Sequence, residues 1–183
     1  MIDIITTGFS ALQTLRQEDL DLIIHAHRAM HAALTRSDSH GISMLAIAKL
    51  GRLAGVDQLH IGAIVGKMHG SGKEVVAIEK NITEQIIKEN DTEDILFQDW
   101  QNLKPVLPVA SGGLHPGLVP DLVKYMGTDI VMQFGGGCHG HPGGTVAGAK
   151  AIRQAVQLLG EKNKAAMENC PELKRALEVW ENK

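Results

Sequence analysis

At 183 residues the chain can bury one sizeable core, but a complete eight-stranded α/β barrel of about 250 residues is longer than this. Apolar residues make up 44% and charged residues 21%, the balance of a soluble α/β protein. A net charge of −3 argues against a duplex-binding surface, and 3% aromatic residues argue against stacking platforms for single-stranded nucleic acid. No stretch approaches the ~18 consecutive apolar residues of a membrane span, and the first ten residues lack the basic start of an export signal. The expectation is a cytoplasmic protein with no nucleic-acid or membrane partner, in which Cys138 and Cys170 are reduced thiols.

Along the chain, short apolar runs alternate with helical spacing. A strand is predicted over Ile2–Ile5 and a helix over Ser10–Arg16, then a strand over Leu22–His27. Ile42–Leu53 reads as a helix closed by Gly55, and Leu59–Val65 as a strand ending in a Gly-rich turn. A polar-faced helix over Lys73–Glu89 leads into an acidic, irregular link over 90–100. Val106–Ala110 is a strand stopping at Ser111-Gly112-Gly113. Leu118–Met126 is a helix ended by Gly127, and Asp129–Phe134 is a strand stopping at Gly135-Gly136-Gly137. Thr145–Leu159 is strongly helical, and Lys162–Glu181 adds further helix with a break at Pro171. About five β-α units imply a parallel sheet with right-handed crossovers. The polar and Gly-rich residues follow the C-terminal ends of four strands, which favours part of a (β/α)8 barrel over an open sheet with one switch point. The expected organisation is a partial catalytic barrel over residues 1–160 and a helical extension over 161–183.

The two glycine clusters expose backbone N–H groups with no side chain to hold a ligand away. Each is either an anion-binding nest or simply a tight strand-to-helix turn, and two after successive strands favour phosphate binding. In the segment His25-Ala-His27-Arg28-Ala-Met-His31, the Arg28 fork suits a second phosphate and His27 suits proton transfer near neutral pH. His25 and His27 share a strand face, so one of them can instead pack in the core. Lys67, between Gly66 and Gly70, either closes over an anionic reaction centre on a mobile loop or is an ordinary surface lysine. Cys138, His139 and His141 have the look of metal ligands, but no further ligand lies at suitable spacing, and no metal site is expected in the chain.

Several strings together closely resemble the large chain of ribulose-bisphosphate carboxylase/oxygenase: HAHRAMHAA (25–33), HGISM (40–44), DQLHIGAIVGKMHG (57–70), FQDW (97–100), PVASGGLHPG (108–117) and QFGGGCHGHPGGTVAGAKAIRQA (133–155). They stand in the family's order, cover nearly the whole chain, and look most like the archaeal form III enzymes. The resemblance implies that the chain is the C-terminal part of the barrel, about strands four to eight. It implies His27 in proton transfer during enediol chemistry, and Lys67 stabilising the carboxylated transition state. It further implies Arg28 and His60 on one substrate phosphate, Ser111, Gly112 and Gly113 as a substrate-binding turn, and Gln133, Phe134, Gly135 and Gly136 on the other phosphate.

The family's magnesium motif of a carbamylated lysine, aspartate and glutamate does not occur in the sequence, although the complete family enzyme is expected to need Mg²⁺. The resemblance therefore implies a fragment that is inactive alone, acting on ribulose 1,5-bisphosphate only as a homo-oligomer or with a chain supplying the missing half barrel. The alternatives are an enolase or isomerase of sulfur salvage built on the same barrel, and a non-catalytic relic that still binds sugar phosphates.

Overall fold

The structure is a computed structural model, and it describes residues 1–37, 39–65, 72–93, 95–159 and 169–180. The first strand, Ile2–Asp3 (β1), is shorter than predicted. Asp3 Oδ1 accepts from the Ile5 N–H at 3.1 Å and so caps the helix Ile4–Thr7 (α1) where more strand was expected. Phe9–Gln17 (α2) follows as predicted. The next strand shrinks to His25–His27 (β2): Leu22 and Ile23 are 67% and 68% exposed, and their apolarity had suggested a longer run. Ile24 is buried, and it is held by the Asp57 carboxylate, which accepts from its N–H at 2.7 Å.

Ala32–Thr35 (α3) precedes Met44–Leu53 (α4), whose Ser43 cap accepts from the Ala46 N–H at 3.2 Å. Gly55, just past this helix, takes the expected left-handed conformation at φ +86°. Gln58–Gly62 (β3) leads towards Gly72–Thr83 (α5), which stops six residues before the predicted Glu89. Ile86–Ile87 (β4) instead pairs antiparallel with Gln98–Asp99 (β5), burying Ile87, Ile95 and Trp100 in a small cluster. The acidic link is therefore ordered around an apolar anchor, since paired β-branched residues favour strand once a partner is at hand.

Leu107–Ser111 (β6), Val119–Met126 (α6) and Val131–Gln133 (β7) match their predictions to within a few residues, and Gly127 ends α6 at φ +72°. The glycine turn after β7 contains a short helix, Gly136–His139 (α7), which the sequence did not suggest. Gly144–Gln157 (α8) and Pro171–Trp180 (α9) close the chain, with Pro171 opening α9 at a position where its missing N–H costs nothing. The expected helix over 162–168 and the expected boundary at 160 lie outside the described residues.

Five strands form one sheet in the order β1-β2-β3-β6-β7, with β1 pairing parallel to β2 and β2 to β3. The fold is thus α/β with a parallel sheet that is not closed into a barrel. Contacts divide the chain into two compact units. The first holds Met1–Ile61, Lys73–Val109 and Asp129–Val131; the second holds Gly62–Gly72, Ala110–Thr128 and Met132–Lys183.

In the first unit, Arg52 is 1% exposed and its guanidinium donates to four backbone carbonyls. These are Lys104 O (3.1 Å), Leu103 O (3.1 Å), Glu84 O (2.7 Å) and Asn81 O (3.4 Å), and the same group lies 4.5 Å above the Trp100 ring. In the second unit, Val119, Ala151, Ala155, Leu173 and Ala176 make a core that joins α6, α8 and α9. Small residues let these segments approach closely: a Cβ on Gly148 of α8 would sit 2.0 Å from the carbonyl oxygen of Cys138.

Candidate functional site

The parallel register of β2 and β3 sets His25 opposite Gln58 and Ala26 opposite Leu59. Because strand side chains alternate, His25 and His27 share one face with Gln58 and His60, while Ala26, Leu59 and Ile61 are buried. The imidazoles meet there. His25 Nε2 lies 2.8 Å from His60 Nε2, and His25 Nδ1 lies 2.6 Å from Gln58 Oε1. The His27 ring stands edge-on to His60 with centroids 4.6 Å apart.

His27 is oriented by the turn that follows it. Its Nδ1 accepts from the Ala29 N–H at 3.1 Å, which leaves the proton of the neutral ring on Nε2. The chain then bends sharply: His31 N–H bonds Arg28 O at 3.2 Å, and Met30 adopts φ +63°. A methionine in this left-handed region stores about 1–2 kcal/mol of strain, which the surrounding turn must hold. Arg28 is half-buried beside this turn. Burial works against its charge, and the Glu74 carboxylate on α5 restores part of it. His31, bonded to Thr35 Oγ1 at 2.9 Å, is lowered by burial and then by Arg28 and His27.

His60 is 2% exposed, and burial, followed by His27, His25 and Arg28, pushes it down to about 4. It is therefore neutral at neutral pH. The first unit thus gathers a half-buried cation and several imidazoles at the ends of two strands, an arrangement suited to an oxyanion and to proton transfer.

In the second unit, β6 ends in half-buried Ser111, followed by Gly112 and Gly113 at φ +105° and +67°. Only glycine adopts this pair of conformations without strain. After β7, Gln133 is exposed, and the side chain of Phe134 packs against the α8–α9 core, leaving only its backbone for the loop. Gly135 caps α7, and a Cβ on Gly135 or Gly136 would meet nothing within 4 Å. Gly137 differs: a Cβ there would lie 2.0 Å from Leu114 O. The Cys138 and His139 N–H groups already bond Gly135 O, so it is the open approach at Gly135 and Gly136 that makes the backbone of this turn accessible to an anion.

Lys67 lies outside the described residues. His139 and His141 are used structurally. His139 Nδ1 bonds Thr145 Oγ1 at 3.1 Å, and buried His141 accepts from the Gly143 N–H and lies 3.0 Å from Glu172 O. Among the described residues no group of three His, Cys, Asp or Glu side chains is placed to hold a metal ion. The histidines of β2 and β3 are bonded to one another, and Mg²⁺ prefers oxygen donors, so the described residues do not fit that ion. Sequence reasoning missed Gln58 and the strained Met30. Gln58 was findable, because it lies two residues before His60 on the same strand face.

The family description that matches residues 1–180 is ribulose bisphosphate carboxylase large chain, catalytic domain. Ribulose bisphosphate carboxylase of Methanocaldococcus jannaschii is 54% identical over 182 residues, covering 98% of this chain and 43% of the relative. The Pyrococcus furiosus enzyme is 52% identical, covering 98% and 40%. Among solved structures, an archaeal ribulose 1,5-bisphosphate carboxylase/oxygenase superposes with a TM-score of 0.87 at 40% identity, over 98% of this chain and 43% of that one. A dimeric archaeal enzyme from Hyperthermus butylicus gives 0.84 at 46%, over 96% and 41%. The chain spans less than half the length of these relatives. It belongs to the ribulose bisphosphate carboxylase large-chain family, within that family's catalytic domain.

Proposed function

We propose that the chain supplies the phosphate-gripping, C-terminal part of a ribulose-bisphosphate carboxylase site. Such an enzyme joins CO₂ to ribulose 1,5-bisphosphate to give two molecules of 3-phosphoglycerate, in carbon fixation or in archaeal nucleotide salvage. Arg28 and His60 hold one phosphate. Ser111, Gly112 and Gly113 line the substrate, and the Gln133, Phe134, Gly135 and Gly136 turn holds the other phosphate through its backbone. His27 moves the enediol proton, and Lys67 stabilises the carboxylated transition state. The observation that best supports this reading is the cluster of Arg28 with the His27–His60 ring pair, a half-buried cation beside imidazoles of the kind that recognises an oxyanion.

Mg²⁺ binds in this proposal through residues of the complete enzyme that the described residues do not include. The working protein is cytoplasmic and oligomeric, of the archaeal form III type, and the chain acts with a partner segment that completes the barrel. Solved relatives include dimeric and octameric archaeal enzymes. The test is calorimetric titration of the assembled protein with ribulose 1,5-bisphosphate. Arg28→Ala is expected to weaken binding about 10- to 100-fold, the equivalent of one charged hydrogen-bonded contact. Unchanged affinity in Arg28→Ala would remove the proposal's main support.

A further inference from the structure

The backbones that follow β6 and β7 are in direct contact. A Cβ on Gly137 would sit 2.0 Å from Leu114 O and 2.7 Å from His115 Cα. The Trp180 indole, near the end of α9, stacks on the His115 ring with centroids 5.3 Å apart and planes 9° from parallel. It lies against the second turn as well, since a Cβ on Gly140 would be 3.4 Å from Trp180 Cζ2. We propose that Trp180 is a positioning residue that holds the two glycine turns in fixed register with one another. This role rests on the reading of both turns as substrate grips, and it adds the side chain that sets their separation.

Glycines at 112, 113, 135 and 136 have no side chains with which to pin their own turns, and glycine backbone is the least restricted of all. The pins are the residues just downstream: buried Leu114, half-buried His115 and buried Gly137. Helix α9 is rooted at its other end. Gln154 of α8 donates to Glu172 Oε2 at 2.7 Å and accepts from the Leu173 N–H at 2.9 Å, and Leu173 and Ala176 are buried in the α6–α8–α9 core. From that root, Leu177 and Trp180 stand three residues apart on one helix face. Leu177 meets Gly117, where an added Cβ would lie 2.9 Å from its Cδ2, and Trp180 meets His115 and Gly140. A near-parallel ring pair gives a broad contact with a defined geometry, which a small aliphatic side chain does not.

A sugar phosphate gripped by both turns must find them at one spacing. Turns that are already held there lose less freedom when the ligand binds, so affinity rises without any added contact. Trp180 thus acts on the ligand only through the backbones of the two turns.

Amide hydrogen exchange in the 183-residue chain tests this through one hydrogen bond beside each turn: Leu118 N–H to His115 O at 3.0 Å, and Gly140 N–H to Gly136 O at 2.8 Å. In Trp180→Leu both amides are expected to exchange about tenfold faster while those of α8 hold steady, and Trp180→Phe, which keeps a stacking face, is expected to restore both. Faster exchange at one amide alone or at neither, an equal rise throughout α8, or no recovery in Trp180→Phe overturns the proposal. If Trp180→Leu does not fold, proton NMR of the unaltered chain decides. Cross-relaxation from the indole to both the His115 ring and the Gly140 Hα is expected, and its absence overturns the proposal. In the assembled protein, Trp180→Leu is expected to bind ribulose 1,5-bisphosphate about tenfold more weakly, with Trp180→Phe close to the unaltered value. Equal affinity in all three overturns the proposal. If the exchange results hold but the unaltered assembly does not bind ribulose 1,5-bisphosphate, the substrate reading falls and the coupling of the two turns stands.

Discussion

Arg52 carries the largest single stability prediction. Replacing it with Met keeps an unbranched apolar stem of similar reach and removes only the guanidinium. That group donates to four carbonyls: Asn81 and Glu84 at the end of α5, and Leu103 and Lys104 on the approach to β6. A hydrogen bond to a charged group contributes about 1.5–3 kcal/mol, but three of these four contacts are only partly buried, so water replaces much of each. Discounting those three to ~1 kcal/mol apiece, counting nothing for the long 3.4 Å contact to Asn81, and adding ~1 kcal/mol for the stacking on Trp100, gives about 4 kcal/mol. Relief from desolvating the cation, which already lowers the Arg52 pKa, takes back about 1 kcal/mol. The expected loss in Arg52→Met is therefore about 3 kcal/mol. Arg52→Lys should lose nearly as much, since one ammonium cannot span carbonyls that a planar fork reaches. Urea unfolding monitored by Trp fluorescence reads this directly. A change below about 1 kcal/mol in Arg52→Met, with the slope unaltered, would refute the claim that this arginine ties α4, α5 and β6 together.

Other expected outcomes follow from the same structure. His60, near 6.5 when unfolded and about 4 when folded, contributes stability that is present above pH 6.5 and lost as the pH falls towards 4. Acid titration of unfolding free energy should show on the order of 2 kcal/mol of this slope, absent in a folded His60→Gln variant. Glu79 has the opposite sign: burial raises it to about 7, so the stability it contributes is present below pH 4.5 and lost as the pH rises through 7. Glu79→Gln should therefore stabilise the chain at pH 8 by about 1 kcal/mol and leave pH 4 nearly unchanged, as thermal melts at the two pH values would show. Gly148→Ala should destabilise by about 1–3 kcal/mol despite the better helix propensity of alanine, because its Cβ meets backbone at Cys138. A higher melting temperature in Gly148→Ala would contradict that packing.

The helices were legible where a closing glycine and the apolar period agreed, as in α4 before Gly55 and in α6 before Gly127. Strand lengths were overread at Leu22 and Ile23, because apolarity alone cannot say whether a partner strand covers a residue. The β4–β5 pair was missed for the converse reason. Its stability comes from Trp100 and Ile87 meeting across twelve intervening residues, a contact that local pattern does not encode. Within the candidate site, His27, Arg28 and His60 were visible as residue types at strand ends, whereas the contacts that join Gln58, His25 and His60 depend on the register of β2 against β3. The arginine holding four carbonyls had no sequence signature, since a buried Arg52 and an exposed one look alike in a helix.

The most direct test of the proposed function is carboxylation itself. The chain should be co-expressed with a segment of a related enzyme that supplies the remainder of the barrel, and labelled bicarbonate incorporation into 3-phosphoglycerate measured with ribulose 1,5-bisphosphate and Mg²⁺. The account predicts magnesium-dependent incorporation by the complex, none from either part alone, and a severe loss in Arg28→Ala. A folded, stoichiometric complex that incorporates no label would contradict it.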